Sequence, residues 1–298
     1  MTQTISCHGV ARRYGSHLAV DQVSFEVHGP SVTGLLGRNG AGKTTLLRLL
    51  AGQELPSAGQ VRVLGGDPAG ADALARQIVL VREDQAFPDF KVGDALRAAG
   101  WSYPRWDHKL ADALVSDFDL PSSRQVKKLS RGMRSALGIV IGLAAQAPVT
   151  LFDEPYAGLD ATARRLFYDR LLADYTEHPR TVVVSTHLID EIADLLERVL
   201  VIDRGHIALD APADGLRGSA TAVSGPAPAV AVFVSGRTTW EHRTVGPLAS
   251  ATVADMLDAT DQARARQLHL SVAPLSLQEV LVHATCPDRA HQAERVGS

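Results

Sequence analysis

Apolar, β-branched runs recur along the first two-thirds of the chain at residues 32–37, 78–81, 149–152 and 181–185, and segments with helical spacing fall at 43–51, 92–101, 131–146, 162–175 and 188–195. A run that is apolar at every position suits a strand buried on both faces. Such strands alternating with helices predict a mostly parallel sheet, whose ligands bind at the carboxyl ends of the strands. Three of the four runs lead straight into segments rich in glycine, carboxylate or histidine, and the run at 78–81 leads into Arg82, Glu83 and Asp84. The runs 23–27 and 60–64 predict an antiparallel meander beside that sheet.

Past residue 210 the pattern changes. Residues 210–236 are rich in Ala, Gly, Pro and Ser, the composition of a linker or tail. Patterning then returns, with helices expected at 226–234 and 261–267 and strands at 239–243, 249–253 and 268–272. Ser276 and Glu279 form a capping box ahead of a last helix. The chain therefore divides into a domain over residues 1–212 and an extension over 213–298, either a small α+β domain or a partly disordered tail.

Composition narrows the function classes. The 298 residues are 45% hydrophobic and 21% charged, which is globular and long enough to bury a core without disulfides or metals. A net charge of −3 leaves no basic surplus, so no nucleic-acid partner is expected. Cys7 and Cys286 fit no zinc spacing and read as reduced thiols. No secretion signal is expected at the N-terminus. The most apolar stretches, 136–149 and 181–185, fall short of the ~18–20 residues of a membrane span.

The segment Gly37, Arg38, Asn39, Gly40, Ala41, Gly42, Lys43, Thr44, Thr45 fits the phosphate-loop pattern without a mismatch, after a predicted strand and opening a predicted helix. Its glycines allow positive φ, so backbone amides can wrap a phosphate at a helix N-terminus. Lys43 can reach the β- and γ-phosphates, and the Thr44 hydroxyl can ligate Mg²⁺. The strand at 149–152 delivers Asp153 and Glu154. Asp153 suits Mg²⁺ through its water shell, and Glu154 suits a base that polarises the attacking water. Together these point to a nucleoside-triphosphate hydrolase.

The segment between the two motifs narrows the kind. Leu129, Ser130, Arg131, Gly132 and Met133 precede a helix and resemble the signature of ATP-binding-cassette (ABC) proteins, with Arg131 in place of the first glycine and Met133 in place of glutamine. Read alone, Ser130 is as much a plain N-cap as a ligand site. The segment 155–160 resembles the D-loop, Ser185-Thr186-His187 the switch histidine, and Arg12-Arg13-Tyr14-Gly15 the adenine-stacking loop. After the strand at 78–81 this family has a glutamine that ligates Mg²⁺. Strand geometry puts Glu83 there, while Gln85 carries the usual chemistry.

The resemblance covers roughly residues 3–210 and implies the ABC nucleotide-binding fold: a P-loop α/β core with a mostly parallel sheet, an antiparallel β subdomain and a helical subdomain. It implies ATP and Mg²⁺ as cofactors, with metal ligands Thr44, Asp153 and Glu83. It implies Glu154 and His187 as catalytic residues and Tyr14 against adenine. Ser130 and Gly132 would grip the γ-phosphate held by a second nucleotide-binding subunit, with Asp160 at the interface. A separate transmembrane permease would take up the motion through residues 83–99, where Phe87, Pro88 and Phe90 are either coupling contacts or local packing. The likeness is greatest to bacterial multidrug or antibiotic exporters, working at the cytoplasmic face of the membrane. The rival is a soluble cassette acting on ribosomes or DNA. A single uninterrupted acidic cassette speaks against it, and the intact Lys43, Asp153, Glu154 and His187 speak against a dead binding module.

Overall fold

The computed structural model describes residues 3–70, 72–82, 85 and 89–285, and the chain forms two compact units that meet between Asp210 and Ala211. The first contains strands β1 (Gln3–Tyr14), β2 (His17–His28), β3 (Ser31–Leu36), β4 (Ala58–Val63), β5 (Ile78–Arg82), β6 (Val149–Asp153), β7 (Thr181–Thr186), β8 (Arg198–Asp203) and β9 (His206–Pro212). Six of them form one sheet in the order β5-β6-β7-β3-β8-β9, parallel from β5 through β8. Every residue of β3, β6 and β7 is buried, which is why their sequences are apolar without alternation. Arg204 and Gly205, both at positive φ, make the two-residue turn from β8 to β9.

The expected meander is a three-stranded antiparallel sheet, β2-β1-β4. Its central strand, β1, was not expected, because its register slips between Cys7 and Val10, where Gly9 has φ +56°. The slip breaks the two-residue alternation by which a strand is read. Helices cover the parallel sheet, among them Lys43–Leu50, Arg131–Ala144 and Ala161–Glu177. The helix expected at 188–195 is broken into Ile189–Ile192 and a 3₁₀ turn. This is the ABC nucleotide-binding architecture that the motifs implied. Among the described residues no helix is long and apolar enough to cross a membrane.

Cys7 lies in the core of β1, and burial pushes its thiol up to about 12 from 9.0. A raised thiol contributes stability that is full below pH 9.0 and lost as pH rises toward 12. Mapping after mildly alkaline alkylation is expected to find the Cys7 peptide unlabelled in folded protein and labelled after denaturation.

The second unit holds β10 (Thr221–Pro226), β11 (Thr239–Val245), β12 (Leu248–Val253) and β13 (Ser271–Pro274), an antiparallel sheet in the order β11-β12-β10-β13. With helices Ala227–Val234 and Ala259–Gln267 this is a β-α-β-β-α-β plait. Val223, Val230, Phe233, Ala251, Val253 and Leu270 lie in its core. Two expectations are corrected. Part of the stretch read as linker is β10, an inner strand whose Gly225 lies so close to Leu270 that a Cβ would come within 2.7 Å of it. The strand expected at 268–272 begins at Ser271, because Leu268 caps the preceding helix and His269 turns through φ +56°.

Candidate functional site

The loop from Gly37 to Gly42 joins β3 to the helix Lys43–Leu50. Gly37 and Gly42 have φ of +154° and +113°, and a Cβ would stand 2.3 Å from the Ile202 carbonyl oxygen at the first and 2.5 Å from that of Ala19 at the second. Only glycine meets both constraints. Gly42 is the N-cap and supplies no side-chain acceptor, so no cap side chain occupies the first-turn amides at the positive end of the helix. Lys43 is folded back and buried, its Nζ donating to the carbonyls of Gly37 (2.8 Å) and Arg38 (3.2 Å).

Parallel pairing places β7 beside β3 and β6 next beyond β7, so the carboxyl ends of both lie at the same edge of the sheet as this loop. Asp153 Oδ1 accepts from Ser185 Oγ at 2.6 Å. Glu154, next in the chain, sits at φ +46°, a left-handed conformation that costs a non-glycine residue on the order of 1–3 kcal/mol. Its N–H donates to Ser185 at Oγ (3.1 Å) and at the carbonyl (3.3 Å), which helps hold the turn. The turned carboxylate reaches Lys43 Nζ through Oε1 (3.4 Å) and His187 Nδ1 through Oε2 (3.5 Å).

A cavity of about 560 Å³ opens over these groups, lined by Tyr14, His17, Ala19, Asn39, Gly40, Gly42, Lys43, Thr44, Thr45, Asp153 and Glu154. Tyr14, 39% exposed, ends β1. Its hydroxyl is hydrogen-bonded to Glu54, and the Arg12 guanidinium lies 4.7 Å from its ring centre. Arg12 also donates to Glu54 (3.0 Å) and to the Leu55 carbonyl (2.9 Å). One ring face is thus taken by a cation, and the residue lines the cavity.

Among the described residues no cluster of three or more His, Cys, Asp or Glu could hold a metal by itself. The Thr44 hydroxyl and Asp153 carboxylate are hard oxygen donors beside a phosphate loop. That set fits Mg²⁺, which keeps waters and shares phosphate oxygens, better than Zn²⁺ or Ca²⁺. Glu83, the expected third ligand, lies outside the described residues, as do Phe87 and Pro88. Gln85 is described, and its Oε1 is buried without a hydrogen-bond partner among the described residues. Phe90 accepts from Val126 N through its carbonyl at 2.9 Å.

Ser130, Gly132 and Asp160 are not among the residues lining the cavity. Ser130 caps the helix Arg131–Ala144, accepting from Met133 N at 3.2 Å, and Asp160 caps Ala161–Glu177, accepting from Ala163 N at 2.8 Å. A Cβ on Gly132 would lie 2.4 Å from the Gly158 carbonyl oxygen, and Ser135 Oγ donates to the Ala157 carbonyl at 2.5 Å. The Ser130 turn and the 155–160 loop are therefore one packed unit. Two contributors have no role of their own in the sequence reading. Ser185, a polar residue closing an apolar run, could have been noticed; Glu54, in a surface turn, carries no pattern.

A profile of the ABC transporter family matches residues 20–157. The Nod factor export ATP-binding protein I of Cupriavidus metallidurans is 35% identical over 69% of this chain and 70% of its own length. The phosphonates import ATP-binding protein PhnC 1 of Natronomonas pharaonis is 37% identical over 71% of this chain and 95% of its own length. A solved ATP-binding subunit of an ABC transporter superposes with a TM-score of 0.65 at 22% identity, covering 72% of this chain and 91% of that one, a likeness of fold.

Proposed function

The chain belongs to the ABC transporter family as an ATP-binding, ATP-hydrolysing subunit, and on that premise we propose that it drives export through a separate membrane-spanning permease. The observation that carries the hydrolytic part is Glu154, which lines the cavity and whose two carboxylate oxygens reach Lys43 and His187. In this reading Lys43 and the amides of residues 40–45 hold the triphosphate, and Tyr14 stacks on adenine. Glu154 accepts the proton of the attacking water, while His187 aligns water and γ-phosphate. Thr44 and Asp153 would hold Mg²⁺, which neutralises phosphate charge when bound. Glu83, the position that follows β5 in the sequence, is proposed over Gln85 as the third metal ligand.

The site is read as composite. Ser130 and Gly132 sit outside their own chain's cavity and present a capped helix N-terminus, a second anion site. A second nucleotide-binding subunit, docked head to tail, would bring that turn onto the γ-phosphate with Asp160 at the interface. ATP closes the pair, hydrolysis reopens it, and the permease takes up the motion at the cytoplasmic face. Export rests on the likeness to a Nod factor export protein. A phosphonate import protein is as similar, as expected if direction belongs to the permease. A multidrug or antibiotic cargo rests on the motif resemblance only. Residues 213–298 are proposed as a separate small α+β domain.

Complementation tests the composite site. Lys43→Ala and Ser130→Arg are each expected to abolish ATP hydrolysis alone. Mixed, they should recover activity, because one hybrid site then joins an intact Lys43 to an intact Ser130. Two inactive variants that stay inactive when mixed would place the whole site within one chain.

A further inference from the structure

The Tyr156 hydroxyl is buried beside His187 in a cluster that the reading above does not use. It stands 2.9 Å from Thr186 Oγ1, 3.2 Å from His187 Nδ1 and 3.1 Å from the His187 backbone nitrogen, which donates to it. Thr186 Oγ1 in turn accepts from Leu188 N at 2.9 Å. The Tyr156 and His187 rings meet edge to face with centres 5.7 Å apart.

Counting protons leaves one arrangement that satisfies both buried hydroxyls. A phenol has one hydrogen to give and two lone pairs, and a threonine hydroxyl has the same inventory. Thr186 is fully buried, either oxygen of its 2.9 Å contact with Tyr156 could be the donor, and among the described residues Tyr156 is the acceptor in reach of the Thr186 hydroxyl proton. If Thr186 donates to Tyr156, the phenol accepts from Thr186 and from the His187 N–H. Its own proton then goes to His187 Nδ1. In the opposite sense Tyr156 donates to Thr186, the Thr186 proton is stranded in the interior, and Nδ1 must carry a hydrogen. A buried donor without a partner is the costlier choice. Burial also raises the phenol's pKa, so the hydroxyl keeps the proton this scheme needs.

We propose that Tyr156 is a positioning residue that holds Nδ1 of His187 as an acceptor and so fixes the imidazole as its Nε2–H tautomer. The consequence falls on Glu154, whose Oε2 is 3.5 Å from Nδ1. A hydrogen on Nδ1 would be drawn to that carboxylate and occupy the lone pair the base needs. With Nδ1 engaged by the phenol, Glu154 keeps its lone pair for water and Nε2–H is the imidazole's donor toward phosphate. This role rests on the assignment of His187 in the proposed function.

The test combines a spectroscopic and a kinetic measurement on the full chain. Nitrogen-15 spectra of the histidine side chains, with His187 assigned by its loss in His187→Ala, are expected to show Nδ1 unprotonated and hydrogen-bonded. That state should be lost in Tyr156→Phe. A protonated Nδ1 in the unmodified protein would overturn the proposal without needing any Tyr156 variant to fold. Tyr156→Phe is expected to lower kcat for ATP hydrolysis by about three- to tenfold, the worth of one hydrogen bond, with KM unchanged. In the His187→Ala background the same substitution should change nothing further, because both variants remove one function. An equal loss in both backgrounds would make Tyr156 a packing residue only and overturn the proposal. His187→Ala with wild-type kcat would instead sink the role given to His187, and the spectra would still decide the tautomer.

Discussion

Glu154→Gln is expected to lower kcat for ATP hydrolysis by about 10²–10⁴-fold while ATP binds as tightly as before or tighter. The substitution keeps the shape of the side chain and the N–H bonds to Ser185 that help hold its left-handed backbone. What goes is the basic lone pair that, in the proposed function, would accept a proton from water, and a negative charge 3.4 Å from Lys43. A nucleotide triphosphate brings its own negative charge to Lys43, and an amide there no longer competes for it. Binding and turnover should therefore separate, with phosphate release falling to a residual rate and the fluorescence of a bound ATP analogue persisting. If composite pairing holds, the variant should also accumulate as an ATP-loaded pair in size-exclusion chromatography. Phosphate release at the unmodified rate would remove Glu154 from the role of base.

Asp174→Ala is expected to destabilise the first unit by about 3–5 kcal/mol, the cost of leaving a buried charge without its partner. Asp174 and Arg180 are both almost wholly buried and pair at 2.5 Å. The same carboxylate accepts from Gln146, and Arg180 also donates to Thr150 Oγ1 and to the His178 carbonyl, each at 3.2 Å. The cluster ties the helix Ala161–Glu177 to the amino ends of β6 and β7. Without the carboxylate the guanidinium keeps only neutral partners. Adding Arg180→Met should recover part of the loss, since an apolar side chain in place of a buried pair is close to neutral. Urea unfolding of the two variants measures this directly. The ATPase activity of the folded fraction should hold, because the cluster sits at the end of the sheet opposite Glu154 and His187. A change in urea midpoint no larger than that of a surface substitution would show that the pair contributes no more than an exposed one.

The two substitutions differ in how far their residues could be read beforehand. Glu154 follows an apolar strand that answers a phosphate loop, so local pattern places it. Asp174 and Arg180 are charged residues in a helix and a turn, and nothing near them in the chain marks them as buried. Burial depends on which elements close over a position, and that is a property of the packed sheet. The same divide separates Lys43, fixed by a loop pattern, from Tyr156, whose place in the 155–160 segment says nothing of a bond to the histidine that follows β7.

By itself the sequence determined the alternation of buried strands and helices, the phosphate loop, the two carboxylates and the histidine. Each is a local pattern, read from spacing, side-chain chemistry and the residues immediately before it. It did not determine β1, whose register slip at Gly9 broke the alternation, or β10, whose small residues resembled a linker. Only the tertiary structure set the strand order, with β7 beside β3 and β6 beyond it, and put Glu154 between Lys43 and His187. It alone left Ser130 outside the cavity of its own chain and put the Tyr156 hydroxyl against His187. The physical reason is range: glycine conformations, caps and apolar runs act within a few residues, whereas a hydrogen bond across 31 positions exists only once the sheet has been assembled.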